Sequence, residues 1–535
     1  MLFNSYEFLL FLPITVIGFF LAGRVSPAWA LRWLCLASLF FYAWWRPANV
    51  LIILPSILFN YALAKILLRC ASGEASQRHT KPLLILGIVF NLCFLGYFKY
   101  ANFLLDTANT VFGANLVLTQ LILPLGISFI TFQKIAFLFD VKSRRIKSFS
   151  FQDYCTFVLF FPQLIAGPIV HYNELMPQFH KATYRFEKEN LAVGLTLFSF
   201  GLFKKLVLAD SIAPYINEFY NQAAGNVPVG FAQAWIAAIG FTLQIYFDFS
   251  GYSDMALGLA RLFGISLPAN FNSPLKASSI IDFWSRWHMT LTRFLTGYLY
   301  NPMALAVTRR RAANGLPGLG GRHTSAGSFV TVLMFPLLVT MSLAGLWHGA
   351  GWNFVIFGAL HGIYLTINHA WRLFRPKTRS DGKGTALLGS VVVLTAILFA
   401  NVFFRSASTS AAFALLKGML GFNGVTLPMV VFDRLGPAGD WLQGIGIRPV
   451  WWSGYNFTMT LFWIGILSII AFIPPNTLQI MASVKPALNF KFETSKSSAL
   501  MVWRPTPIWA FSIALISAAG FLSLGKLSAF LYWQF

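Results

Sequence analysis

Three stretches of this 535-residue chain place proton-moving or charged side chains inside an otherwise greasy sequence. The first is Gly345-Leu346-Trp347-His348-Gly349-Ala350-Gly351-Trp352-Asn353-Phe354. An imidazole at membrane depth is costly unless it is paired or faces a watery cavity, and it is the side chain best suited to passing protons near neutral pH. Gly349 and Gly351 leave room for other backbone, or a thin substrate chain, to approach His348, and Trp347, Trp352 and Asn353 can wall a tunnel beside it. Two readings stay open on the residues alone: a general base, or a buried ring bonded to a neighbouring carbonyl. His361, on the following helix, reads as structural.

The second stretch runs from Asp282-Phe283-Trp284-Ser285-Arg286-Trp287-His288 to Met289-Thr290-Leu291-Thr292-Arg293-Phe294. On a helix, Asp282 and Arg286 neutralise each other at i and i+4, and His288 shares another face with Thr292, so the ring points at a cavity with a hydroxyl beside it. Trp284 and Trp287 anchor that helix near an interface. In the third stretch, Tyr246 to Ala256, Asp248 and Asp254 stand six residues apart and need partners. They either cap a helix or pair with arginines such as Arg261, or they serve proton-coupled transport or catalysis. No phosphate-binding loop of the GxxxxGK type, GxSxG elbow or HExxH helix occurs, and no metal site is expected. The remaining chemistry is base-assisted attack by a hydroxyl from outside the protein.

Such residues need a membrane scaffold to hold them. Hydrophobic residues are 57% of the chain and charged ones 11%, against about a quarter charged in soluble domains. The expected fold is an all-α polytopic membrane protein, a single integral membrane domain over residues 1–535, with core motifs in 120–370 and C-terminal loops and spans in 371–535. Windows of about 17–25 apolar residues, long enough to cross a bilayer, fall at 6–22, 30–46, 49–68, 82–98, 189–208, 228–247, 327–347, 352–370, 385–404, 456–474 and 507–530. Leu121 to Val141, Phe151 to Val170, Asp248 to Gly264 and Asp282 to Tyr300 are apolar but interrupted, which predicts re-entrant or half-buried helices around a cavity. Residues 423–455 and 485–498 read as exposed loops. The first apolar run reads as a retained span, not a cleaved leader.

The net charge is +23, from 40 Lys and Arg against 17 Asp and Glu. The basic residues cluster between apolar runs: Lys65, Arg69, Arg78 and Lys81; Lys142, Arg144, Arg145 and Lys147; Arg309, Arg310, Arg311 and Arg322; Arg372, Arg375, Lys377, Arg379 and Lys383. That pattern marks cytoplasmic loops and excludes nucleic acid as a partner. Cys35, Cys70, Cys93 and Cys155 lack metal or disulfide spacing and are expected to be small buried hydrophobes.

The Trp287-His288 and Trp347-His348-Gly349 motifs together resemble the membrane-bound O-acyltransferase family. Pro124 to Phe129, Phe161 to Pro168, Gly201 to Lys205, Tyr246 to Gly264 and Pro474-Pro475-Asn476-Thr477 are similar to its bacterial branch, which includes alginate O-acetylase, cellulose-acetylating homologues and the teichoic-acid D-alanylation membrane subunit. The resemblance covers Met1 to about Met481. It implies that family's fold, with about 11–13 transmembrane helices around a central cavity. It also implies His348 as the essential histidine and His288 as the second. Trp347, Trp352, Asn353, Trp287, Arg286, Asp282, Asp248 and Asp254 then support the tunnel. The implied reaction passes an acyl group, most simply acetyl from acetyl-CoA, across the inner membrane to an exported alginate- or cellulose-type polysaccharide. A separate periplasmic acetyltransferase-like partner completes the transfer, and no cofactor is bound. A transporter or flippase, or a scaffold subunit without chemistry, is the alternative class.

Overall fold

A computed structural model describes residues 1–117, 121–181, 184–320, 324–374, 383–490, 501–525 and 531. Arg322, Arg375, Lys377 and Arg379 of the basic clusters, residues 491–498 of the later polar loop and 526–530 of the last window lie outside the described residues.

Every one of the eleven apolar windows falls on a helix. Among the described residues, seven helices are long and apolar enough to cross a membrane: Tyr6–Val25, Ala48–Ser72, Gln77–Phe112, Lys188–Ala224, Ala326–His348, Gly384–Arg405 and Gly454–Phe472. Two more apolar helices, Pro27–Ala43 and Pro507–Leu522, are shorter. The windows at 228–247 and 352–370 lie in Phe231–Leu262 and Trp352–Phe374, helices that carry Asp248 and Asp254, and His361, His369 and Arg372, inside apolar sequence.

The described residues form two compact units. The first comprises Met1–Phe203, Gly251–Ala269 and Thr477–Leu527. Its opening helix, Tyr6–Val25, starts where Ser5 accepts a hydrogen bond from the Phe8 N–H. It buries Phe8, Phe11, Leu12, Thr15 and Phe19 while Leu10, Ile14, Ile17 and Leu21 face outward. The outward set recurs every three or four residues, a lipid-facing stripe on one side of a helix. Polar side chains inside this unit pair with each other: Asn60 and Asn91 exchange hydrogen bonds of 3.2 and 2.6 Å.

The interruption expected at Asp248 to Gly264 is absent, because Phe231–Leu262 is one continuous helix of 32 residues. Gly251 and Gly258 stand seven residues apart on one face; a Cβ on Gly258 would strike the backbone of Gly194 and Phe198, and a Cβ on Gly201 would strike the Gly251 carbonyl. Gly258 is thus spent on close helix approach and not on breaking the helix.

The second unit comprises Lys204–Ser250, Asn270–Asn476 and Ser528–Phe535. The helices Phe335–His348 and Trp352–Phe374 pack so closely that a Cβ on Gly345 or Gly358 would meet the other's backbone. Residues 423–455, expected to be an exposed loop, fold instead: Met429–Leu435 and Pro437–Gly444 are short helices, and Thr426–Pro428 pairs in parallel with Arg448–Val450. Their many glycines and prolines punctuate short elements. All four cysteines are free; against the expectation of burial, none is fully buried and Cys93 is exposed.

Candidate active site

The Phe335–His348 helix ends at His348, and a turn closed by the Gly351 N–H donating to the Gly349 carbonyl (3.1 Å) starts the next helix. His348 is 5% exposed. Its ring stands 5.0 Å from Trp347, 5.3 Å from Phe404 and 6.1 Å from Phe357, each at a steep angle. The space beside Gly349 is filled by the Phe354 ring and that beside Gly351 by Asn353. The glycines thus let the turn pack on its own side chains.

His348 faces a cavity with about 20 Å³ of room for a water-sized sphere, enough for one such guest. Its walls come from five helices: Thr242 and Ile245; Phe283 and Trp284, with Trp287 beyond that helix's end; His348; Phe357 and His361; and Ile397, Asn401 and Phe404. Leu275 completes it. The Trp352–Phe374 helix presents Asn353, Phe354, Phe357, Gly358, His361, Gly362 and Leu365 on its buried face, and this helical spacing brings His361 to the wall. Asn401 donates to the Thr242 hydroxyl (2.9 Å), joining two of the helices.

His288 is held differently from expectation. Residues 280–295 are not one helix: Ile280–Arg286 ends, Trp287 is extended, and His288 is left-handed (φ 43°, ψ 52°) before Met289–Leu295 begins. A non-glycine residue in that region is strained by about 1–2 kcal/mol and persists where its surroundings hold it. Asn270 supplies the hold. Its carbonyl Oδ1 accepts from Thr290 N (3.3 Å) and Thr290 Oγ1 (2.7 Å) and contacts His288 Nδ1 at 3.1 Å, while its backbone carbonyl accepts from Met289 N (3.0 Å). Because the Thr290 N–H can only donate, the Asn270 atom is the oxygen, so His288 Nδ1 carries the proton and Nε2 the lone pair. The ring is fully buried, 4.7 Å edge-on from Phe249 and 6.4 Å from Trp347. Trp347 is thus a ring neighbour of both motif histidines. His288 does not line the cavity, and Thr292 turns its hydroxyl to the Trp284 carbonyl (3.2 Å) instead of standing beside the imidazole.

The remaining predicted residues divide. Trp287 is on the cavity wall, stacked 5.7 Å from Phe283. Asp282 and Arg286 form the expected pair at 2.7 Å, partly exposed and away from the cavity. Asn353 donates to the Phe403 and Ser406 carbonyls (3.2 and 3.0 Å), tying down the end of a neighbouring helix. Trp352 is 55% exposed and walls nothing. Asp248 neither caps a helix nor meets an arginine: Lys205 Nζ bridges it (2.6 Å) to Asp210 (2.8 Å), and its other oxygen accepts from Leu531 N (3.3 Å). Asp254 is buried in the first unit and is not a lining residue.

Lys205, Asp210, Asn270, Thr242 and Asn401 escaped the sequence reading. Lys205 left a signal, a charge inside the apolar run Leu202 to Ala209 that had to find a carboxylate. Asn270 left none, since one asparagine in a turn looks like any other.

The profile of the membrane-bound O-acyltransferase family matches residues 76–316, a range that includes His288 and stops short of His348. A peptidoglycan O-acetyltransferase of Helicobacter pylori is 40% identical over 463 residues, 80% of this chain and 81% of that protein. A protein designated probable alginate O-acetylase in Azotobacter vinelandii is 37% identical over 435 residues, 80% of this chain and 79% of that one. A teichoic acid D-alanyltransferase of Bacillus subtilis is 26% identical over 289 residues, covering 52% and 68%.

Proposed function

Because this chain belongs to the membrane-bound O-acyltransferase family and is a multi-pass membrane acyltransferase, we propose that it passes acetyl groups across the bacterial inner membrane to hydroxyls of a cell-envelope polysaccharide. The observation that carries this reading is His348, buried on the wall of a cavity that takes one water-sized group. A space of that size suits a small polar group such as an acyl carbonyl.

Acetyl-CoA is the donor in this proposal, presenting its thioester from the cytoplasmic side, where Arg309 to Arg311, at the basic end of the Asn301–Ala313 helix and not in the loop expected, attract its phosphates. His348 takes the proton of the acceptor hydroxyl as its oxygen attacks the acyl carbon, and the leaving sulfur collects that proton. The aromatic walls keep bulk water out. His288, which does not line the cavity, supports it from behind Trp347, the ring neighbour of both histidines. A periplasmic partner carries the acetyl group on to the polymer.

An alginate- or cellulose-type exopolysaccharide is the first reading of the acceptor. Peptidoglycan is the second, favoured by the 40% identity to the Helicobacter pylori enzyme. Purified protein in proteoliposomes, given radiolabelled acetyl-CoA with alginate, cellulose or peptidoglycan fragments and a periplasmic extract, should label one polymer. His348→Ala should lower transfer by about 10²–10⁴-fold, the usual worth of a general base. Normal labelling by well-folded His348→Ala protein would sink the assignment.

A further inference from the structure

His361 shares the cavity wall with His348 and is 1% exposed. Its Nδ1 receives a hydrogen bond from the Trp284 indole Nε1–H at 3.3 Å. An indole nitrogen only donates, so Nδ1 must be the acceptor nitrogen, and in the neutral ring the proton sits on Nε2. The ring cannot turn away from this arrangement. Phe357 lies 4.7 Å off at 70°, Trp284 5.2 Å off at 86°, and Phe283 is nearly parallel at 6.3 Å.

Among the described residues His361 makes that one hydrogen bond. Its Nε2 is not one of the sealed polar atoms without a partner, so the N–H keeps an open side, and the space beside His361 is the cavity it lines; a donor left without an acceptor there costs about 1–3 kcal/mol, which a guest's oxygen offsets. Asn401 spends one of its two amide N–H groups on Thr242. A fixed N–H beside a candidate base, in a space for one small group, has the form of an oxyanion donor.

We propose that His361 is a second catalytic imidazole, donating a hydrogen bond from Nε2–H to the acyl carbonyl oxygen, with Trp284 as the residue that positions it. The assignment rests on the acyl-transfer reading above. His348 removes the hydroxyl proton and the acceptor oxygen bonds to the thioester carbon, whose C=O electron pair moves onto its oxygen. The Nε2–H of His361 holds that oxyanion without giving up its proton. The intermediate collapses, the C=O re-forms, the C–S bond breaks, and the thiolate takes the proton from His348. The products are the ester and free thiol, with both histidines restored. Trp284 makes the division of labour possible: with Nδ1 committed to the indole, Nε2 is a donor and not a competing base.

The test uses the full-length protein in proteoliposomes with [14C]acetyl-CoA as probe. His361→Phe keeps an aromatic ring in place and removes the donor; kcat should fall by about 10²–10³-fold with KM for acetyl-CoA little changed. His361→Gln, whose amide can donate, should regain part of that loss. Trp284→Phe should release the tautomer, seen as loss of the protonated-Nε2 signal of His361 in 15N-histidine spectra. A merely structural role is separated by infrared difference spectra of [1-13C]acetyl-CoA bound to His348→Ala protein. The carbonyl stretch should sit lower than in free acetyl-CoA, and adding His361→Phe should remove the shift. A wild-type rate in His361→Phe, a Gln variant no better than Phe, or a carbonyl stretch indifferent to His361 would overturn the proposal. If His348→Ala still transfers acetyl, or wild-type protein takes none from acetyl-CoA, the underlying reading fails first.

Discussion

The most charged point in the second unit is also among its most buried. Lys205 bridges Asp248 and Asp210 with side chains almost sealed from solvent. Removing one member of a buried ion pair leaves the others uncompensated and costs about 3–5 kcal/mol. Lys205→Met is therefore expected to lower stability by about that much, read as thermal inactivation in detergent. Lys205→Met combined with Asp248→Asn should recover part of it, because one of the two stranded carboxylates goes too. If the double variant is as unstable as the single one, the cluster is not held by charge compensation. At the same scale, His288 shows how a side chain's job depends on one neighbour. Asn270 decides which of its nitrogens carries the proton, by a hydrogen bond between residues eighteen positions apart.

Helices, not side chains, bring His348 and His361 to one wall, and glycines set how closely those helices approach. Gly358 lies against Met341 and Gly345 on the facing helix, whereas a Cβ on Gly465, in the apolar helix Gly454–Phe472, would meet nothing within 4 Å. Gly358→Val should cost about 1–3 kcal/mol by overpacking and abolish most transfer with both histidines intact. Gly465→Val should leave both properties near wild type, and equal effects would show that the close approach is not needed. The helices themselves were legible in the sequence, since every apolar window of sufficient length became one. Their interruptions were read less well. Gly251 looks like a breaker in one dimension, and only a facing glycine backbone reveals it as a contact. Conversely, nothing in Asp282 to Phe294 foretells the left-handed turn at His288, because it is held by Asn270 from outside the segment. The cavity wall followed the same pattern: the sequence places His348 and Trp287 at a cavity from type and setting, and both line one, while Trp352 is exposed and His361, read as structural, also lies on the wall.

At the scale of the molecule, apolar residues do two jobs that composition alone does not separate. Phe8, Phe11 and Phe19 fill the first unit, while Leu10, Ile14, Ile17 and Leu21 on the same helix face outward. Ile14→Asp should impair insertion by about 2.5–3.5 kcal/mol, the cost of a charge near the centre of a spanning helix. Trp451→Asp, on the most exposed tryptophan of the small folded segment 423–455, should insert normally. Comparable membrane yields of the two would contradict the stripe's assignment to lipid. The cavity carries a consequence for economy. An activated thioester is a perishable good, and every molecule lost to hydrolysis is spent for nothing. A chamber with about 20 Å³ to offer seats a single guest at a time. On the proposed mechanism the seated acyl carbonyl displaces the water the chamber would otherwise hold, which leaves the acceptor hydroxyl's own approach to His348 as the route by which hydrolysis enters.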